Sequence, residues 1–228
     1  MSCPISERLK LAASLVREGA YLADIGTDHA YLAIHLFETG KISRAVLADI
    51  NRGPLARAEE NIKASGFGER CTLVLSDGAR ELSSYPVSDF AVLGMGGELI
   101  ADIISAAPMM KKEGVRLILG PMTRTEAVRR ALFDLGFKIS GEYFVTDAGK
   151  HYVTLLAEYT GESEPYSEAD LYFGKRESFA REDKEMAAYM QQQRRRLLSV
   201  ISGKEIGGSD ATAERALLVE LDERMKVV

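Results

Sequence analysis

Apolar residues recur along this chain in two rhythms, and the alternation between them predicts a fold. Ile5, Leu9, Ala12, Ala13 and Val16 keep helical spacing, with Ser6 as a cap, and Gly19 closes the segment. Residues 21–25 are instead a short apolar run that enters a glycine turn, as a buried strand would. Helix then strand follow twice more: a helix over 30–38 ended by Gly40, a strand over 44–49, a helix from Gly53-Pro54 to about residue 64, and a strand over 71–75. A fourth strand spans 89–93 and enters the glycine turn 94–97, then a helix runs over 98–106. A fifth strand covers 115–119, followed by the turn 120–123 and a helix over 124–135. Residues 138–146 and 151–158 read as an antiparallel pair, because the turn between them is too short for a parallel crossover.

Five strand–helix units ending in a hairpin predict an α/β fold with a Rossmann-like, doubly wound sheet of seven strands. The composition shifts at residues 160–165, a linker rich in Gly, Ser, Glu and Pro. The expected division is a sheet domain over 1–160 and a helical domain over 161–228. In the second part Phe179, Met186, Met190, Leu197 and Val200 fall near heptad spacing, as do Leu218, Leu221 and Met225. A glycine-rich break over 203–209 separates them, so an antiparallel coiled-coil hairpin is expected. A hairpin with one apolar stripe must dock on the domain or on a partner.

Composition narrows the class. Hydrophobic residues make up 46% and charged residues 28%, ordinary for a globular protein. No apolar run approaches a membrane span, and the start Met1-Ser2-Cys3-Pro4 lacks a basic-then-apolar signal. Cys3 and Cys71 are isolated and lack metal-ligand spacing, so a reducing cytoplasmic setting without a metal is expected. The net charge is −5, of which −3 lies beyond Thr160. Neither part is basic overall, so a polyanion would have to meet local patches. Arg194-Arg195-Arg196, Arg129-Arg130 with Arg124, and Lys175-Arg176 are such spots, although each also reads as a solvated helix face.

The chemistry gathers at strand ends. Asp24, Gly26 and Asp28 surround the first turn, where a dinucleotide fingerprint would place a second glycine instead of Asp28. A carboxylate there opposes a phosphate and suits a cationic ligand, and S-adenosylmethionine carries a sulfonium and an α-ammonium. Asp28 also reads as a helix cap. Asp49 ends the second strand, where nucleotide-binding sheets hold ribose hydroxyls. Asp77-Gly78 follows the third strand and reads either as a contact for an adenine amino group or as a plain turn. Gly94-Met95-Gly96-Gly97 implies close approach to the backbone after strand four. Acids at three successive strand ends on one sheet edge point to a methyltransferase.

The strings Asp24-Ile25-Gly26-Thr27-Asp28-His29-Ala30-Tyr31-Leu32 and Gly94-Met95-Gly96-Gly97, together with Ser6-x-Arg8-Leu9, Asp49, Gly53-Pro54 and Asp77-Gly78, resemble the bacterial tRNA (adenine-22-N1)-methyltransferase family. That resemblance implies a class I methyltransferase domain followed by a coiled coil, S-adenosylmethionine as cofactor and tRNA as partner. It implies a cofactor pocket lined by Asp24, Gly26, Thr27, Asp28, His29, Asp49, Ile50, Asp77, Gly78 and Met95. Asp28, His29, Gly94 and Gly96 are the expected catalytic positions. Arg8, Gly97, Met122, Arg194, Arg195 and Arg196 are the expected substrate contacts. Arg8 also reads as a solvated helix residue and His29 as a cap; His35 and His151 read as structural. The chain departs from the family at Ala33, in place of a proline, and at Gly120-Pro121-Met122, in place of Gln-Pro-Asn. Methylation at another RNA position or on a metabolite, and a non-catalytic nucleoside-binding module, are the alternatives. A monomer is expected.

Overall fold

A computed structural model of the protein describes residues 5–176 and 183–226, so Cys3 and Phe179 lie outside the described residues. Seven strands form one sheet: β1 Tyr21–Ile25, β2 Arg44–Asp49, β3 Cys71–Leu75, β4 Asp89–Gly96, β5 Arg116–Thr123, β6 Phe137–Asp147 and β7 Lys150–Tyr159. Their order is β3-β2-β1-β4-β5-β7-β6, and only β7 runs antiparallel to its neighbours. Strand order reverses between β1 and β4, so their carboxyl ends frame the crevice in which such sheets bind ligands.

The central strands are apolar on both faces because both are covered. Leu22, Leu47, Ala91 and Ile118 face one core with α1 Glu7–Leu15, α2 Tyr31–Glu38 and α3 Arg52–Ala64. Ala23, Val46, Phe90 and Leu117 face the other with α4 Gly97–Ala106 and α5 Thr125–Asp134. Ser6 caps α1 as expected, its hydroxyl accepting from the Leu9 amide.

After the sheet come α6 Glu168–Phe173, α7 Lys184–Ile206 and α8 Thr212–Met225. Met186, Tyr189, Met190, Leu197 and Leu221 join the same core as Phe144 and Val153, so the α7–α8 hairpin docks on the sheet layer. Gln192 fastens the two: its side-chain amide donates to the His151 carbonyl at 2.8 Å and its oxygen accepts from the His151 amide at 3.2 Å. No helix among the described residues is long and apolar enough to cross a membrane.

Four expectations are corrected. Residues 94–96 and 120–123 are not loops: β4 and β5 continue, pairing Met95 with Pro121 and Gly96 with Thr123 through register shifts. Gly203 lies inside α7, and the break begins at Gly207. Val200 is exposed rather than in the hairpin core. Arg129 is no surface cation: it is fully buried, bidentate to Glu142 at 3.0 and 2.6 Å, and donates to the Leu171 carbonyl at 2.7 Å.

That pair ties α5, β6 and α6 together. Removing one partner leaves a charge buried alone, which costs about 3–5 kcal/mol. Glu142→Ala is therefore expected to lower stability by about that amount in urea denaturation. A loss under about 1 kcal/mol would contradict the arrangement.

Candidate active site

β1 delivers Asp24 to the crevice. Its side chain is 7% exposed, and burial pushes its carboxyl up to about 6, the neighbouring Thr27 hydroxyl offsetting only part of the effect. Gly26 turns the chain with φ of +77°, and the Gly26 and Thr27 amides both donate to the Ala48 carbonyl, at 2.7 and 3.1 Å. Thr27 Oγ1 is buried without a well-formed hydrogen bond. A dry carboxyl whose only polar neighbour is a weakly bonded hydroxyl is a candidate position for a polar, positively charged ligand group.

Asp28 behaves differently. It is exposed, and its carboxylate is held by both Arg57 Nε, at 3.1 Å, and Arg57 Nη2, with His29 Nε2 at 3.2 Å. Arg57 holds the Asp28 carboxyl below the usual range. The expectation that Asp28 adds a free negative charge is thus corrected: α3 supplies its counter-ion. It is also not the cap of α2, whose cap position is Ala30 at φ 59°. The His29 ring stacks on Tyr31, 5.0 Å between centroids, and Asn61 donates to the His29 carbonyl.

Asp49 closes β2 and accepts from the Asn51 amide through Oδ1 at 2.7 Å. Ile50 beside it is 61% exposed, an apolar surface at the rim. Asp77 is paired with Arg80 at 2.6 Å. Gly78 has φ of +64°, and a Cβ there would sit 2.9 Å from Ile103. Of the four acids, Asp24 and Asp49 are the two without an ion pair among the described residues.

The glycines of the 94–97 string have separate reasons. Gly94 has φ of +76° and faces open space. Met95 reaches across the crevice to lie on Gly26, its terminal methyl 2.0 Å from where a Cβ would stand. At Gly97 a Cβ would meet the Arg124 carbonyl oxygen at 2.0 Å, so the protein's own backbone already demands the glycine. Gly96 lies beside Thr123.

Behind Gly94 is a cavity of about 160 Å³ walled by Leu93, Met122, Tyr152 and Arg8. Arg8 is held by Asp147, with Nε 2.9 Å from Oδ2, and its Nη1 lies 2.9 Å from the Met122 sulfur. A larger cleft of about 380 Å³ separates the end of β5 from α7, lined by Met122, Arg124, Tyr152, Gln193 and Arg196. Tyr152 was missing from the sequence reading; its only signal there is an aromatic beside His151 at the start of a strand. Arg194 is paired with Asp222 of its own hairpin at 2.8 Å, so part of its charge is already balanced. Arg195 and Arg196 are exposed and form no ion pair among the described residues. Arg124, Arg130, Lys175 and Arg176 are each paired with a glutamate.

Residues 5–155 match a family model described as a methyltransferase domain. The chain is 32% identical over 154 residues to the tRNA (adenine(22)-N(1))-methyltransferase of Bacillus subtilis strain 168, covering 68% of this chain and 65% of that relative's length. The crystal structure of Streptococcus pneumoniae Sp1610, a candidate tRNA adenine-22 N1-methyltransferase, superposes with a TM-score of 0.79 at 33% identity over 98% of both chains. The same protein in complex with S-adenosyl-L-methionine gives 0.82 at 31% identity, over 97% of this chain and all of that one.

Burial of Asp24 makes stability depend on pH. The fold raises its pKa from 3.8 to about 6, so its contribution is fully present below about pH 4 and is lost as pH rises through about 6. Asp24→Asn stays neutral throughout. It is expected to be more stable than the parent above pH 6 by about 3 kcal/mol, the two converging near pH 4. Urea denaturation across pH 4–8 reads this, and a difference constant with pH would refute it.

Proposed function

The chain belongs to the tRNA (adenine-22-N1)-methyltransferase family, and from that premise we propose that it transfers a methyl group from S-adenosyl-L-methionine to N1 of adenine 22 in tRNA. The observation that carries the cofactor reading is Asp24: a buried carboxyl with no cation of its own among the described residues, beside the buried Thr27 hydroxyl, at the crevice between β1 and β4. A ligand bearing a sulfonium and an ammonium supplies the missing charge. Asp49 has Oδ2 to offer a ribose hydroxyl, and Ile50 gives an apolar flank for an adenine ring. Asp77 and Gly78 stand at the next strand end along the same edge.

Bound S-adenosylmethionine provides a methyl group on a positively charged sulfur. The lone pair on adenine N1 forms the new C–N bond as the C–S bond breaks, and the positive charge moves onto the base. No proton leaves N1, so the reaction needs no general base. Asp28 and His29 accord with this, since each is already engaged, with Arg57 and Tyr31. In our reading they shape the mouth of the donor loop. The protein's contribution is alignment. Gly94, which leaves open space after β4, gives an extruded base room to approach. Arg195 and Arg196 offer phosphate contacts on α7. The same reading places the protein in the cytoplasm, acting as a monomer.

The direct test is methylation of tRNA transcripts with labelled S-adenosylmethionine, with the modified base mapped by primer extension. Label at adenine 22, lost when that base is replaced by guanine, is the expected result; label elsewhere or none overturns the proposal. For the phosphate contacts, Arg195→Glu combined with Arg196→Glu is expected to weaken tRNA binding and to reduce the slope of log affinity against log salt by about 2. An unchanged slope removes α7 from the interface.

A further inference from the structure

The proposed reaction leaves one requirement unmet by β4. An extruded base needs a surface to stack on, and the segment after Leu93 carries Gly94, Met95 and Gly96 with no aromatic. The opposite wall of the cavity supplies a surface. Tyr152, near the start of β7, lines both the cavity behind Gly94 and the cleft against α7. The Arg8 guanidinium lies over its ring, with Cζ 4.7 Å from the centroid.

Arg8 is held by three contacts: the Tyr152 ring, the Asp147 carboxylate at 2.9 Å and the Met122 sulfur at 2.9 Å. Its side chain nevertheless keeps 34% of its surface exposed. Arg8 lines the cavity, and the part of its guanidinium that the ring and the carboxylate leave uncovered is available there. Nucleobases stack on guanidinium planes as they do on aromatic rings. We propose that Arg8, backed by Tyr152, is the stacking platform for the acceptor adenine, with the cavity behind Gly94 receiving the base. This deepens the tRNA reading above and rests on it.

Volume supports the division of space. An engineered cavity of about 150 Å³ accepts one benzene molecule. The 160 Å³ behind Gly94 is of the same order, and in our proposal it takes the rings of the base and leaves its sugar and phosphate outside. Those fall to the adjoining cleft of 380 Å³, which shares Met122 and Tyr152 with the cavity and brings in Arg196. Arg8 acts as a plane rather than as a point charge, since Asp147 already balances it. Tyr152 is a positioning residue that acts through Arg8.

The test compares wild type, Tyr152→Ala, Tyr152→Phe, Arg8→Ala and Arg8→Lys. Each is assayed for kcat/KM on tRNA, for S-adenosylmethionine affinity by calorimetry, and for binding to tRNA with either adenine or an abasic residue at position 22. Tyr152→Ala and Arg8→Ala are expected to lower kcat/KM about tenfold to a hundredfold, the range for loss of one base stack, with donor affinity unchanged. Tyr152→Phe keeps the ring and restores activity, whereas Arg8→Lys lacks the plane and does not. On abasic tRNA the binding deficit of the alanine variants disappears, a result that a general structural defect would not give. A deficit of equal size on both tRNAs, or full activity in either alanine variant, overturns the platform. Should Tyr152→Ala fail to fold, Arg8→Ala, at a half-buried position, decides the question by the same readouts. A wild type that methylates no tRNA overturns the reading beneath the proposal and the platform with it. Methylation of adenine 22 with equal deficits removes the platform alone.

Discussion

A carboxyl group withdrawn from water, at the point where the strand order reverses, is what the site depends on. Among the strand-end acids of the crevice, cations are matched in an order opposite to what stability alone would favour. Arg57 serves Asp28 and Arg80 serves Asp77, both well exposed, where an ion pair contributes little. Asp24, the acid that is dry, has no cation. Burying a lone carboxylate is costly, and the raised pKa of Asp24 is the visible sign of that cost. That cost, incurred at the crevice of a doubly wound sheet, is the feature that the proposed charged donor would offset. The pairing of Asp28 refines the picture drawn from four acids. The attraction for a cation comes from the floor of the crevice, and the rim is locally balanced.

The glycines after β4 teach a related lesson about spacing motifs. Three glycines in four residues suggest one cause, close approach by a ligand. Each has its own instead. Gly94 takes a left-handed φ and opens onto the cavity, whereas Gly97 exists because the Arg124 carbonyl occupies the space of its side chain. Arg124 itself has φ of 55°, so the crossing of β5 into α5 and of β4 into α4 are mutually constrained. Backbone packed on backbone fixes the direction in which both helices leave the sheet, and that direction shapes the acceptor side.

The sheet was legible because its central strands are short apolar runs separated by amphipathic helices, a pattern few other folds bury so economically. Its strand ends were less so. Gly94, Gly96 and Pro121 read as breakers, yet β4 and β5 continue through them, since each lends the other hydrogen-bonding partners that no local rule sees. α6 is too short for periodicity to register, although Ser167 and Asp170 form a capping box that the spacing displays. The acids of the candidate site could be read at their strand ends; their counter-ions could not. Arg57 finds Asp28 from a neighbouring helix, and Arg129, which looked like part of a basic run, lies buried because Glu142 faces it. Tyr152 is invisible in the sequence for the same reason, as its setting depends on Arg8, far away along the chain but packed on its ring.

The helical hairpin belongs to this argument through its base. Tyr189 packs its ring against Phe144 at 5.2 Å, Gln192 is bonded both ways to the His151 backbone, and Met186 and Met190 sit in the sheet's own core. Arg224 of α8 reaches back to Asp170 at 2.8 Å and to the Gly174 carbonyl. The far end is the reverse: Ile206 is 87% exposed and stands clear of the sheet layer. Arg195 and Arg196 lie about one helical turn beyond Gln192 and just before Leu197, which is buried in the same core. An arm fixed at its root holds those cations at a set distance from the crevice. In a displacement that relies on alignment, a set distance is worth more than added charge, because a misplacement of about 1 Å can cost a hundredfold in rate. On the proposed reading, a chain with net negative charge grips a polyanion with few cations because the core holds them in place.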